Sequence, residues 1–370
     1  MEQTVITVTD GYLDFDRWIA EHHCGRIFLV CGNSLPRFTA FYNHLCAIPK
    51  SVCDFVRFSD FSPNPSYESA AKAVKAFHRE QCDGIVAIGG GSAMDVAKCV
   101  KLYSGMDSRR NYLEQEIRPN RIPFLAIPTT AGTGSEATRY AVIYYNGVKQ
   151  SVTHESCIPD TVLMDSGTLK TLPAYHRKSA MMDAFCHAIE SCWSIHATEE
   201  SRYYSQTAIA QILANMDGYL SNTEAGNHGM LWAAHTAGKA IDIAQTTAGH
   251  AMCYSITSLF HVAHGHAAAL CDRVLFSWMV ANAHSPEAEQ WNSALHEISA
   301  AMGCDTPKAA SNKFQSIFSS LKLGIPSATE EQFTRLRQSV NPVRLKNHPV
   351  PLDERTIDSL YHEILNGASI

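Results

Sequence analysis

Two short apolar runs, Gly84–Ile88 (GIVAI) and Ile122–Ile127 (IPFLAI), each lead straight into glycines and small hydroxyl residues. Runs of five or six apolar residues without alternation read as strands covered on both faces, which is the situation in a parallel sheet sandwiched by helices. Arg26–Cys31 (RIFLVC), ending at Gly32, reads the same way. Between these runs, Ser66–Gln81 has the spacing of an amphipathic helix, and Asp95–Tyr103 continues as a second one. Strand and helix in alternation predict a doubly wound, mostly parallel α/β domain.

From about Leu172 the texture changes. Tyr175–Trp193, Glu199–Tyr219 and Met230–Thr246 are long segments rich in Ala, Met, Leu and Gln, and β-branched runs largely vanish. The expectation is an α/β nucleotide-binding domain over 1–170 and an all-helical domain over 171–370, with a ligand cleft where they meet. No low-complexity linker or internal repeat interrupts the chain.

Several function classes fall away on composition. A net charge of −6 without basic runs argues against a nucleic-acid partner. The N-terminal Met1–Asp10 lacks a basic region followed by an apolar run, so neither a signal peptide nor a membrane span is expected. The 12 cysteines form no CxxC pair, which fits reduced core thiols in the cytoplasm. Cys186 and Cys253 lie beside the candidate metal ligands and are candidates for oxidation.

Gly89-Gly90-Gly91-Ser92 follows a strand and opens a helix, so Gly90, Gly91 and Ser92 can bring backbone N–H groups close to a phosphate. Asp95 sits in the first helical turn. Three glycines alone fit a plain tight turn equally well, and the loop is not GxGxxG. Pro128–Glu136 (PTTAGTGSE) supplies a second loop, with Thr129, Thr130, Thr133 and Ser135 as candidate cofactor contacts and Lys149 beyond it. Alone, that segment also fits a capped helix start.

Asp183 and His187 stand four apart in a helical pattern, which places both on one face. His250 and His264 follow in a segment that also holds His261 and His266. One carboxylate and three imidazoles suit iron, zinc or nickel. Catalytic zinc usually keeps three protein ligands and an open position, so four ligands favour Fe(II) while Zn(II) stays open.

Together these motifs resemble the iron-containing, or group III, alcohol dehydrogenases, over most of the chain. The resemblance rests on Asn64-Pro65, GGGSAMD at Gly89–Asp95, PTTAGTGSE, the Asp183/His187 pair, His250, His264 with the glycine that follows, and Asn341-Pro342. It implies a dehydroquinate synthase-like architecture, an NADH or NADPH cofactor, and a divalent metal on Asp183, His187, His250 and His264. Three departures stand out. Tyr254 replaces a second histidine that many members carry, Gly32 replaces an acid at the end of the first strand, and Asp165-Ser166 replaces Asp-Pro. Without the acid, Gly32, Asn33 and Ser34 are expected to accept NADPH.

A narrower resemblance, through EATRYAVIYY, AIESCWS, ATEESR, His250–Leu270 and NPVRLKNHPVPL, is to phosphonoacetaldehyde reductases of phosphonate biosynthesis. It implies reduction of phosphonoacetaldehyde to 2-hydroxyethylphosphonate, with Arg139, Arg344 and Lys346 as candidate anion contacts. Sulfoacetaldehyde, succinic semialdehyde and butanal are the alternative aldehydes. A dehydroquinate-synthase-like lyase and a non-catalytic binding protein are the alternative classes. Tyr254, His266 or water is expected to supply the product's proton. A homodimer is compatible with the sequence.

Overall fold

The computed structural model describes residues 3–9, 11–283, 289–340 and 342–366. Met1, Glu2 and Asp10 of the N-terminal stretch, and Asn341 of the Asn341-Pro342 motif, lie outside them. The chain divides into two compact units, Met1–Leu172 and Pro173–Ile370.

The first unit is built on a six-stranded parallel sheet. Its strands are β1 (Thr4–Thr7), β2 (Arg26–Cys31), β3 (Asp54–Phe58), β4 (Gly84–Gly89), β5 (Phe124–Pro128) and β8 (Thr161–Met164), in the spatial order β1-β8-β5-β4-β2-β3. β6 (Tyr140–Tyr145) and β7 (Val148–Thr153) form a separate antiparallel hairpin.

Side chains alternate across a strand, so each face of this sheet needs its own cover. Ile27, Leu29 and Cys31 of β2 and Val86 and Ile88 of β4 join a core with Phe15 and Trp18 of α1 (Leu13–Glu21) and Phe41 of α2 (Thr39–Ala47). Phe28, of opposite parity, meets Phe77 of α3 (Tyr67–Arg79) edge-on, with ring centroids 5.7 Å apart. Burying a side chain such as Phe28 stabilises the fold by about 1.5–3 kcal/mol. Two covered faces explain why β4, β5 and β2 from Ile27 onward are apolar without a break.

From β2 the chain moves to one edge, at β3, and then returns to the other side of β2 with β4. The strand order therefore reverses between β2 and β4, the place where open parallel sheets bind ligands at their carboxyl ends. Gly32–Ser34 follows β2, and α4 (Gly91–Tyr103) follows β4.

The second unit is helical: α5 (Ala174–Trp193), α6 (Glu199–Leu220), α7 (Glu224–Ala244), α8 (Ala248–Phe260), α9 (His264–Asn282), α10 (Glu289–Ala301), α11 (Pro307–Ser320), α12 (Glu330–Ser339), α13 (Pro342–Leu345) and α14 (Glu354–Asn366). Every residue from Met181 to Trp193 of α5 is buried, so this helix is the axis of the unit. A helix buried all round is normally apolar on every side. Asp183, His187 and Glu190 are ionisable exceptions, and at i, i+4 and i+7 they form one polar stripe inside the core. No helix among the described residues is long and apolar enough to cross a membrane.

Candidate metal and nucleotide sites

In the first unit the two small-residue loops meet. The Thr129 N–H donates to the Gly89 carbonyl at 3.0 Å. A Cβ built on Gly90 would lie 3.2 Å from Thr130 Oγ1, and one on Gly91 would lie 3.4 Å from Thr133 Cγ2. α4 starts at Gly91, four residues before the expected Asp95, and no side chain caps it at Gly90. Neither glycine adds a side chain of its own at the helix start, where the first N–H groups lie. Ser92 Oγ accepts from the Asn64 N–H at 3.3 Å, which ties the loop to the Asn64-Pro65 turn.

A lysine not singled out by the sequence organises the second loop. Lys98 of α4 is fully buried. Its Nζ donates to the Thr138 and Tyr140 carbonyls at 2.7 Å each, to Thr138 Oγ1 at 3.0 Å and to Ser135 Oγ at 3.2 Å. A buried ammonium needs several acceptors, and these bonds supply them. The Ser135 hydroxyl is therefore held inside the loop. Desolvation pushes the Asp95 carboxyl up to about 7, while Lys98, the Val142 N–H, Lys149 and Ser135 favour its charged form. Asp95 and Lys149 thus belong to the same internal network. Beside the third loop, Arg57 of β3 donates to the Gly32 carbonyl at 2.9 Å and to Asn33 Oδ1 at 3.4 Å. Ser34 starts the short 3-10 turn Leu35–Arg37.

In the second unit, donor atoms of Asp183, His187 and His250 lie within 4.8 Å of one another, and all three residues are buried. His250 Nε2 is 3.6 Å from Asp183 Oδ1, and neither atom has a hydrogen-bond partner. His264 Nε2 stands 3.8 Å from the same oxygen at the more exposed rim. Burial acts to raise the Asp183 carboxyl, but His187, His264 and His250 hold it well below the usual carboxylate range. Buried polar atoms that face each other without bonding, with one carboxylate among three imidazoles, fit a divalent cation. Tyr254 lies against His264 with its ring stacked at 5.4 Å.

Two glycines let three helices converge there. A Cβ on Gly249, next to His250, would fall 2.0 Å from Asp272 Oδ1. One on Gly265, next to His264, would fall 2.1 Å from the Ser179 carbonyl and 2.6 Å from Asp183 Cβ. With any larger residue, α8 and α9 could not come this close to α5.

Beneath His250 lies a second buried group, Glu190 and Asp272, whose donor atoms are also within 4.8 Å of the imidazole and of each other. Glu190 Oε2 accepts from the Thr247 N–H and hydroxyl, each at 2.6 Å. Its Oε1 accepts from the His250 N–H at 3.1 Å and pairs with His250 Nδ1. Burial raises Glu190, yet His250 and Thr247 bring it down to about 2. Burial lowers His250, yet Glu190 and Asp183 bring it up to about 10. Asp272 is pushed well up by burial and by Glu190 beside it. The sequence reading missed Glu190, although it extends the Asp183/His187 stripe by three more residues.

The remaining candidates are placed as follows. His266 is buried, with Nε2 bonded to the Gly324 carbonyl at 2.7 Å and Nδ1 to the Tyr175 hydroxyl at 3.1 Å. It does not join the ligand cluster. Arg344 donates to Thr246 Oγ1 at 3.3 Å, and Lys346 is exposed. Arg139, in the first unit, pairs with Glu155 at 3.5 Å. The Cys186 thiol is buried, and that burial and Asp272 push it well up. Cys253 is also buried, its Sγ 3.4 Å from the His250 carbonyl.

Comparison with known proteins identifies the family of the chain. The model of the iron-containing alcohol dehydrogenases matches residues 4–166, and that of the C-terminal domain of Fe-containing alcohol dehydrogenases matches 178–363. The chain is 35% identical to the probable alcohol dehydrogenase EutG of Escherichia coli over 56% of its own length and 54% of that protein's. It thus spans about half of that relative. It is 31% identical to the phosphonoacetaldehyde reductase of Streptomyces viridochromogenes over 54% of each. The crystal structure of sulfoacetaldehyde reductase from Bifidobacterium kashiwanohense in complex with NAD+ superposes with a TM-score of 0.87 at 22% identity, covering 99% of this chain and 98% of that one. At that identity the likeness is one of fold.

Proposed function

Because the chain belongs to the iron-containing alcohol dehydrogenase family, we propose that it reduces a short aldehyde to a primary alcohol with a nicotinamide cofactor and a divalent metal. The observation that carries this reading is the buried donor set of Asp183, His187 and His250, with His264 at its rim. When bound, the metal supplies a Lewis acid for a carbonyl oxygen and the nicotinamide supplies a hydride.

The chain's own residues bind and orient. Asp183, His187, His250 and His264 hold the cation, with Fe(II) favoured and Zn(II) the alternative. The Gly89–Ser92 loop holds the cofactor's phosphates, the Thr129–Ser135 loop holds its nicotinamide end, and Lys98 stiffens the second loop. The product hydroxyl takes its proton from Tyr254 Oη or from water. His266, with both ring nitrogens engaged, takes part only through the Tyr175 hydroxyl. We place the enzyme in the cytoplasm, in line with its scattered cysteines.

NADPH is the preferred cofactor in this reading. Gly32 offers no carboxylate to repel a 2′-phosphate, and the Arg57 guanidinium stands beside it. Gly32→Asp should shift preference toward NADH, and a strict NADH requirement in the wild type would refute the assignment.

The substrate is a short anionic aldehyde, phosphonoacetaldehyde first and sulfoacetaldehyde second. Two of the similar proteins are named for such aldehydes. Arg344 is the favoured anion contact, because it shares a unit with the metal ligands while Arg139 already faces Glu155. The test compares kcat/KM for phosphonoacetaldehyde, sulfoacetaldehyde and butanal with both cofactors. Equal values would leave a general aldehyde reductase. Absence of stoichiometric NADPH loss would instead favour a lyase of the dehydroquinate synthase type.

A further inference from the structure

We propose that Glu190 is a positioning residue that fixes how His250 presents itself to the metal. The inference rests on the metal reading of Asp183, His187, His250 and His264. Coordination through Nε2 requires the imidazole proton to sit on Nδ1. The atom facing Nδ1 is Glu190 Oε1, a carboxylate oxygen that can only accept, so when a metal displaces the proton on Nε2 the ring keeps its remaining proton on Nδ1. Nε2 then has its lone pair free toward Asp183, 3.6 Å away.

Glu190 can impose this because it is itself immobile. It is fully buried on α5. Its oxygens accept from the Thr247 N–H, the Thr247 hydroxyl and the His250 N–H. Thr247 is the N-cap of α8, and its own side chain does not cap the helix. A carboxylate from α5 takes that role, at the positive end of α8 and on two of its N–H groups. The same group thus sets the register of α8 against α5 and the orientation of the ring that α8 carries. Trp193 Nε1 closes the arrangement by donating to Thr247 Oγ1 at 2.9 Å. At His264 the group near Nδ1 is the Cys253 sulfur, at 3.7 Å.

The test measures zinc and Fe(II) affinity by chelator competition for the wild type, Glu190→Gln and Glu190→Ala. Thermal unfolding of the metal-free proteins and the one-bond 1H–15N signal of His250 Nδ1 in the zinc-loaded proteins accompany it. Glu190→Ala should lose about 10–100-fold in affinity, the usual cost of removing such a partner. Glu190→Gln keeps an acceptor for Nδ1–H and should recover part of that loss in a folded protein. The Nδ1 proton signal should be sharp in the wild type and lost by exchange in Glu190→Ala. Wild-type affinity in folded Glu190→Ala overturns the inference. So does a loss that merely follows the unfolding of the metal-free protein, with the Nδ1 signal unchanged. A wild type that takes up neither metal overturns the metal reading itself, which separates the two failures.

Discussion

In the first unit, charge is met by backbone. Gly90 and Gly91 place no side chain of their own at the start of α4, and the hydroxyl loop after β5 packs against them. In the second unit, charge is met by side chains. Asp183, His187 and His250 point at one another inside a helical core, and Glu190 and Asp272 lie beneath them. The difference teaches where each site is vulnerable. A backbone-made site has no indispensable functional group and is damaged by added bulk. A side-chain-made site depends on each group and on the close approach of the helices that carry them.

The largest effect should follow from deleting a ligand. His250→Ala should lose more than about 100-fold in metal affinity, beyond the range seen for outer partners. Metal analysis of the purified variant checks this, and full occupancy would end the ligand assignment. Next comes the packing that brings the helices together. Gly265→Ala places a Cβ 2.1 Å from the Ser179 carbonyl, so the metal-free protein should lose about 3 kcal/mol, the upper end for overpacking. An unchanged denaturation midpoint would mean that α9 shifts freely.

The side-chain region should also be the more pH-sensitive of the two. Burial keeps His348 neutral and lowers it to about 4, although Glu190 acts the other way. An unfolded histidine titrates near 6.5. Between these values the unfolded chain binds a proton that the folded one does not. The stability from His348 is therefore complete above about pH 6.5 and declines as pH falls toward 4. The loss should be about 1–3 kcal/mol relative to His348→Leu, read from denaturant melts at both pH values. Parallel pH profiles for the two proteins would count against it. The smallest effect belongs to the backbone site. Gly90→Ala crowds Thr130 at 3.2 Å and should raise KM for the nucleotide about tenfold, or ~1.4 kcal/mol, with metal content untouched. If KM stayed put while metal content fell, the contrast between the two regions would be wrong.

What the sequence reveals follows the same division. β2 is legible to the residue, because a strand covered on both faces is apolar from Ile27 to Cys31. The edge strands β1 and β3 are not, since they are short and only partly covered, and their pattern is mixed. The hairpin β6–β7 lies outside the main sheet and gives no alternating βα signal. α4 reads as starting at Asp95 because glycines score as breakers, whereas its N-terminus needs them. In the helical unit, the side chains that converge are of types and spacings that carry chemistry, so Asp183, His187, His250 and His264 stand out. Glu190 does not, because a glutamate in a helix is ordinarily a surface residue. Only the continuation of the 183/187 stripe by three residues marks it. Lys98 is hidden for the same reason.

All four candidate ligands come from α5, α8 and α9, within Pro173–Ile370. An ion that binds the folded state alone adds RT ln(1 + [M]/Kd) to its stability, about 2.7 kcal/mol at a hundredfold excess over Kd. The cation is then as much a clasp on the helical unit as a reagent. A chelator should soften that unit before any substrate is present, and metal supply in the cell would set how much folded enzyme survives.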